Sequence, residues 1–294
     1  MKKHLNAETC RQVIAACLPQ IPILSAEAIL DGWCSLVLQI NDEYIFRFAR
    51  WPEVEAQFEK EIRLLPALSP ALPVAVPCIE FTWKDCPGCA MPFVGYRMIH
   101  GVPLTPALAT PGLAMQLGEF LSALHSFPAE EAVRLGVSDA TPPHWRQQYV
   151  DLYDKMRTQV FPWLKPSAQA MWATAWETFL TDDANFRFRP ALIHRDLGAE
   201  HILCDPRRGE IAGVIDWGDA AIGDPALDFV GLWVGCGRDF AERVAADYAG
   251  DLDETFWRRV FFYANIIPFY TVEFALMTGD DGLLREGLDA LNRV

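Results

Sequence analysis

Residues 191–205 read ALIHRDLGAEHILCD, with His194, Asp196, Glu200 and His201 set between short apolar runs. A further acid, Asp216, ends the apolar run IAGVI. If residues 201–216 fold as a hairpin turned at Pro206–Gly209, His201 and Asp216 meet at one end of it, close to Asp196. One carboxylate can then handle a proton while a second, with a neighbour, holds a metal ion. Phosphoryl transfer needs this division of labour: positioning of a hydroxyl, and neutralisation of phosphate charge. Two other readings use the same residues. His194, Asp196 and His201 would suit a zinc hydrolase, although that leaves Asp216 and the GDPALD run unused. A polar turn between two strands is the third. Ala191–Ile193 and Ile202–Leu203 read as the buried strands that would display these side chains, and loops on rigid strands are where chemistry tends to sit.

The rest of the chain must position this stretch. At 294 residues it is long enough for two lobes. With 51% hydrophobic residues and a mean hydropathy near zero it reads as globular. No uncharged apolar run approaches the roughly 18 residues of a membrane span, and the first twenty residues are interrupted by Asn6, Glu8 and Arg11, so a cytoplasmic protein is expected. The net charge of −14 argues against a nucleic-acid partner and favours a cationic one. The eight cysteines are scattered, most beside apolar neighbours as buried free thiols are. Cys86-Pro-Gly-Cys89 is read as an ordinary hairpin turn, since no second CxxC accompanies it.

Residues 8–18 predict a short helix, and EAILDG, SLVLQIN and EYIFRFAR three strands parted by Gly32 and Asn41-Asp42. A helix follows over 52–68, with Pro52 in its first turn and Val54, Phe58, Ile62 and Leu65 at three- and four-residue spacing. ALPVAVPCIEF and FVGYRMI add two strands. Beyond them helices are expected over 112–126, 143–160, 166–180, 238–249, 254–278 and 281–293, with short strands near 191–194, 201–204 and 211–215. Strands first and helices later is an α+β pattern in two lobes. The junction falls at Gly101-Val-Pro-Leu-Thr-Pro, which divides the chain into residues 1–100 and 101–294.

The pattern HxDxxxxH followed by IDxxxxxxGDPxxDF resembles the aminoglycoside phosphotransferase family, relatives of the protein kinases, over nearly the whole chain. FVGYRMIHGVPLTP looks like the inter-lobe linker of the branch that phosphorylates the 2″-hydroxyl, and EAQFEKEIRLL like the helix that supplies a glutamate to the nucleotide site. The resemblance implies a kinase-like fold: an antiparallel sheet with one helix in a nucleotide-binding N-lobe, and a helical C-lobe with the catalytic loop and acceptor site. It implies a monomer that uses ATP or GTP with Mg2+ to phosphorylate a hydroxyl of a cationic antibiotic, an aminoglycoside, conferring resistance. A macrolide kinase or a choline- or homoserine-type metabolite kinase is the alternative.

Carried over residue by residue, Asp196 is the catalytic aspartate. His201 stands where most relatives have a metal-binding Asn, and Asp216 takes the place of the aspartate that bridges metal and phosphates. Arg47 occupies the position of the strand lysine that contacts the α- and β-phosphates, with Glu61 as its ion-pair partner. The loop Asp31-Gly32-Trp33-Cys34-Ser35 is expected to cover the phosphates, and the backbone from Met98 to His100 to meet the purine. Asp224 and Asp228 are read as structural, and His194 as a buttress. Glu200, Asp219, Asp239, Glu242 and Glu273 are expected to form an acidic acceptor wall, while the aromatic run from Phe256 would suit an apolar macrolide or simply fill the core.

Overall fold

The computed structural model describes residues 6–29, 34–86 and 89–293. Asn6 starts α1 (Ala7–Cys17) by accepting the Thr9 amide at 2.8 Å. β1 (Ala26–Ile29), β2 (Ser35–Ile40) and β3 (Tyr44–Ala49) pair antiparallel. The β2–β3 turn needs left-handed backbone at Asn41 and Asp42, with φ of 57° and 52°, a conformation that these two residue types tolerate best after glycine. α2 (Pro52–Leu68) has Pro52, Glu53 and Glu55 in its first turn, where a missing N–H costs nothing and negative charge meets the positive end of the helix. β4 (Ile79–Thr82) and β5 (Phe93–Arg97) complete a five-stranded sheet in the order β1-β2-β3-β5-β4. Its core joins Ile14 of α1 and Phe58 of α2 to Phe46, Phe48 and Phe93.

The second lobe holds β6 (Val102–Pro103), α3 (Pro111–His125), α4 (Ala129–Arg134), α5 (Pro142–Gln159) and α6 (Pro166–Thr181). Then come β7 (Ala191–Ile193), β8 (Ile202–Asp205), β9 (Glu210–Val214) and β10 (Ala221–Gly223), followed by α7 (Val230–Cys236), α8 (Arg238–Ala246), α9 (Phe256–Thr278) and α10 (Asp281–Leu291). The architecture is the expected α+β, two-lobed one. β8 and β9 form the anticipated hairpin, closed by the Gly209 amide on the Asp205 carbonyl at 2.9 Å with Gly209 at φ 66°. The lobes are stitched where the Val214 amide donates to the Ala75 carbonyl at 2.9 Å.

By length and composition alone α9 is apolar enough to cross a membrane. Here it is a core helix, burying Phe262, Tyr263, Ile266 and Phe269 and also Arg259, whose guanidinium meets Asp224 and Asp253. One feature corrects the sequence expectation: Cys86-Pro-Gly-Cys89 does connect the antiparallel pair β4 and β5, but the cysteines are not all free thiols. Cys86 is disulfide-bonded to Cys17, 69 residues earlier, a pairing that no local spacing announces.

Candidate active site

The hairpin and the segment before it deliver the residues singled out above. β7 pairs with β10, so the chain leaving β7 at Ile193 runs beside the segment that follows β9. The loop turns through Arg195, at φ 72°, and its main chain is clamped by one carboxylate: the amides of His194 and Arg195 each donate to buried Asp228 at 2.8 Å. Asp228 is itself held by His125 Nε2 at 3.1 Å, and His125 Nδ1 meets the Tyr248 hydroxyl at 2.7 Å. His194 is fully buried, its Nε2 donates to the Ile215 carbonyl at 3.0 Å, and its ring lies 4.7 Å from that of Trp217. Burial pushes its pKa down, so it is a neutral strut between the two segments. Asp224 accepts from Arg259, Tyr263 and the Ala226 amide. These roles are structural, as the sequence indicated.

Asp196, His201 and Asp216 converge: one ligating atom from each lies within 4.8 Å of the others. His201 Nδ1 is 2.7 Å from the Asp196 main-chain oxygen. A carbonyl only accepts, so Nδ1 carries the hydrogen. In the neutral ring Nε2 then keeps its lone pair, 3.7 Å from Asp216 Oδ2. The Asp196 side chain is 54% exposed, yet partial desolvation by its neighbours, with Asp219, Asp216 and Glu200 adding to it against His201, pushes it up to about 6. Asp216 is pulled the other way, held below the usual carboxylate range chiefly by Arg47. Two carboxylates with different proton affinities thus share one corner. Asp216 sits at φ 63° and ψ 64°, which aims it at both His201 and Arg47.

Arg47, on β3, is 5% exposed. Its guanidinium gives one nitrogen to both oxygens of Glu61, at 3.1 and 2.8 Å, and the other to Asp216 Oδ1 at 2.8 Å. Burial alone would lower its pKa, but Glu61 and Asp216 overcome that and hold it charged. The flat fork is what lets one residue bridge two carboxylates on different elements. α2 supplies more than Glu61. Gln57 donates to Asp219 at 3.1 Å and Lys60 to the Ala220 carbonyl at 2.7 Å, so positions 57, 60 and 61 form one helix face against the turn over 217–220. The sequence reading missed Gln57 and Lys60, although their three- and four-residue spacing was visible.

Other candidates are less closely gathered. Residues 30–33, the greater part of the expected phosphate-covering loop, lie outside the described residues; Ser35 is buried at the start of β2, opposite Ala49. The Met98 amide donates to the Glu43 carbonyl at 2.8 Å, and His100 is exposed. Of the five acids assigned to the acceptor wall, Glu200 and Asp219 act electrostatically on Asp196. Asp239 is exposed on α8, where Glu242 pairs with Arg238, and Glu273 on α9 pairs with Lys155. A positioning feature that the sequence did not reveal is α7. A β-carbon at Gly231 would lie 2.0 Å from the Leu197 carbonyl oxygen, and one at Gly235 2.7 Å from the Ala199 side chain. These glycines let α7 lie directly against the loop that carries Asp196.

Residues 25–261 match the phosphotransferase enzyme family. Viomycin phosphotransferase of Streptomyces vinaceus is 27% identical over 204 residues, 67% of this chain and 68% of that protein. Among solved structures, the GDP and kanamycin complex of APH(2″)-IIIa superposes with a TM-score of 0.88 at 30% identity, over 96% of this chain and 97% of that one. The macrolide 2′-phosphotransferase MphH of Brachybacterium faecium shares the fold, with a TM-score of 0.77 at 24% identity over 97% and 98% of the two chains. The kinase-like fold and the match across most of the sequence give one conclusion: the chain belongs to the phosphotransferase enzyme family, the aminoglycoside phosphotransferases, which phosphorylate hydroxyl groups.

Proposed function

We propose that this enzyme transfers the γ-phosphoryl group of ATP or GTP, with Mg2+, to a hydroxyl of an aminoglycoside, as a cytoplasmic monomer that confers resistance. The observation that carries this reading is the convergence of Asp196, His201 and Asp216 at one end of the β8–β9 hairpin, facing the Arg47–Glu61 pair. Asp196 accepts the proton of the acceptor hydroxyl and orients its oxygen for in-line attack. Above its raised pKa of about 6 the carboxylate is ionised and can do so. Asp216 suits a hard cation through its oxygens, and His201 presents its Nε2 lone pair beside it. When bound there, magnesium would neutralise the charge on the transferring phosphate. Arg47 would contact the α- and β-phosphates while it stays paired with Glu61. The main chain from Met98 to His100, where residues 1–100 give way to residues 101–294, would meet the purine.

The acceptor class rests on charge. Glu200 and Asp219 flank Asp196 and would meet the ammonium groups of a polyamine sugar. Glu242 and Glu273, already paired with Arg238 and Lys155, would contribute once those partners move aside, and Asp239 needs no such release. The solved relative at 30% identity is a GDP and kanamycin complex. Viomycin, the substrate named for the Streptomyces relative, is the second acceptor to test. The test is nucleoside diphosphate release by purified protein with kanamycin, gentamicin, viomycin and erythromycin, in turn with ATP and GTP. Turnover of kanamycin or gentamicin is expected. Turnover of erythromycin alone would move the assignment to a macrolide kinase.

A further inference from the structure

The disulfide has a third thiol beside it. Cys89 Sγ and the two sulfurs of Cys17 and Cys86 all lie within 4.8 Å of one another, and none of the three residues is fully buried. Cys89 is free, its thiol donating weakly to the Met91 carbonyl at 3.4 Å. Its amide donates to the Cys86 carbonyl at 3.1 Å, which holds the two cysteines side by side. Cys86-Pro-Gly-Cys89 also has the CxxC spacing at which cysteines bridge each other. Cys86 is therefore within reach of two alternative partners. We propose that the three cysteines form a thiol–disulfide exchange site in which Cys89 displaces Cys17 from Cys86.

In the exchange the Cys89 thiolate attacks Cys86 Sγ, an S–S bond forms between Cys86 and Cys89, and the Cys17–Cys86 bond breaks. Cys17 leaves as a thiolate and takes up the proton that Cys89 lost, so no net oxidation occurs. Making the first disulfide from three thiols requires a two-electron oxidant, such as a small-molecule disulfide. What the exchange moves is α1. This helix packs on β1 and β2 at one edge of the sheet, whereas Cys86 follows β4, the strand at the opposite edge. Its 11 residues span about 16 Å, close to the roughly 19 Å of four strand spacings, and Cys17 is its last residue, so the disulfide ties the C-terminal end of α1 to the segment after β4. Bridging Cys17 to Cys86 closes a 69-residue separation, and bridging Cys86 to Cys89 closes almost none. The first state holds the N-lobe shut across its sheet, and the second releases α1.

The test is disulfide mapping by mass spectrometry of the whole protein, equilibrated in a glutathione redox buffer at pH 8 and alkylated while folded. Two populations are expected: Cys17–Cys86 bridged with Cys89 alkylated, and Cys86–Cys89 bridged with Cys17 alkylated. Cys17→Ser should contain the Cys86–Cys89 bridge, and Cys89→Ser only the Cys17–Cys86 bridge. Cys17→Ser should melt roughly 5–10 °C lower than Cys89→Ser and exchange the amide hydrogens of residues 7–17 faster. Wild type bridged solely between Cys17 and Cys86, with Cys89 alkylated in every molecule, would overturn the exchange. So would three free thiols, and three free thiols with one zinc per chain would make the cluster a metal centre instead.

Discussion

Replacing Arg47 by alanine takes one guanidinium away from two carboxylates at once. Glu61 has no exposure at all, and its two hydrogen bonds from Arg47, at 3.1 and 2.8 Å, would be lost with the charge that compensates it. Removing one partner of such a buried pair typically costs about 3–5 kcal/mol, because the remaining charge stays out of water. At about 2–4 °C per kcal/mol for a domain of this class, Arg47→Ala should lower the Tm by roughly 6–20 °C. Arg47→Ala combined with Glu61→Gln removes the orphaned charge, so a sizeable part of the Tm should return. Nucleotide binding should not return, because the phosphate contact proposed for Arg47 is still missing; one charge-assisted contact is worth about 1.5–3 kcal/mol, or roughly 10- to 150-fold in affinity. Arg47→Lys should sit between, since an ammonium can serve Glu61 or Asp216 but lacks the fork that serves both. Differential scanning fluorimetry and GDP titration of the four proteins supply both readings. An Arg47→Ala protein that melts within about 1 °C of wild type would refute the buried pair, and a double variant that regains full nucleotide affinity would refute the phosphate role.

Gly231→Ala would place a β-carbon 2.0 Å from the Leu197 carbonyl oxygen and displace the catalytic loop; kcat should fall by about 100-fold, as for a misplacement near 1 Å, with GDP affinity unchanged in titration. Asp253 is held down to about 2 by Arg259 and Thr255 against the upward push of burial. A depressed folded pKa gives stability that is present above the ordinary carboxylate value and lost as pH falls through the folded one. Asp253→Asn should therefore lower the Tm at pH 6 and converge on wild type near pH 2, in melts taken across that range. Kanamycin KM should rise from about 0.1 M to about 1 M salt as the screening length shrinks from about 10 to 3 Å, and Asp219→Ala should raise it without a comparable change in nucleotide KM.

Local signals carried much of the fold. α2 is found over the residues expected because Pro52 and the apolar spacing of Val54, Phe58 and Leu65 agree on one helix. The β8–β9 hairpin was legible from its turn residues, and with it the meeting of His201 and Asp216. α7 was not anticipated, since Gly231 and Gly235 are poor helix formers, and their reason for being there, the approach of the catalytic loop, is a tertiary one. α4, with six residues, is too short for a periodicity to show. The surroundings of the five acids proposed for the acceptor wall were the least legible part. A run of acids does not reveal which are neutralised, and Lys155, which pairs with Glu273, lies 118 residues away on α5. Arg238 and Glu242, at i and i+4 on α8, could have been recognised as a pair from spacing alone.

The measurement closest to the central claim separates chemistry from nucleotide binding at Asp196. Wild type and Asp196→Asn are compared in single-turnover phosphorylation of kanamycin with Mg2+ and GTP or ATP, and in equilibrium binding of the corresponding diphosphate. In the proposed function the Asp196 carboxylate serves the acceptor hydroxyl, whereas the phosphates are assigned to Arg47 and Asp216, which pair with each other. Asparagine should thus lower the transfer rate by about 10²–10⁴-fold and leave diphosphate affinity within about twofold. An Asp196→Asn enzyme that transfers phosphate at near the wild-type rate, or one whose only defect is nucleotide affinity, would contradict the account.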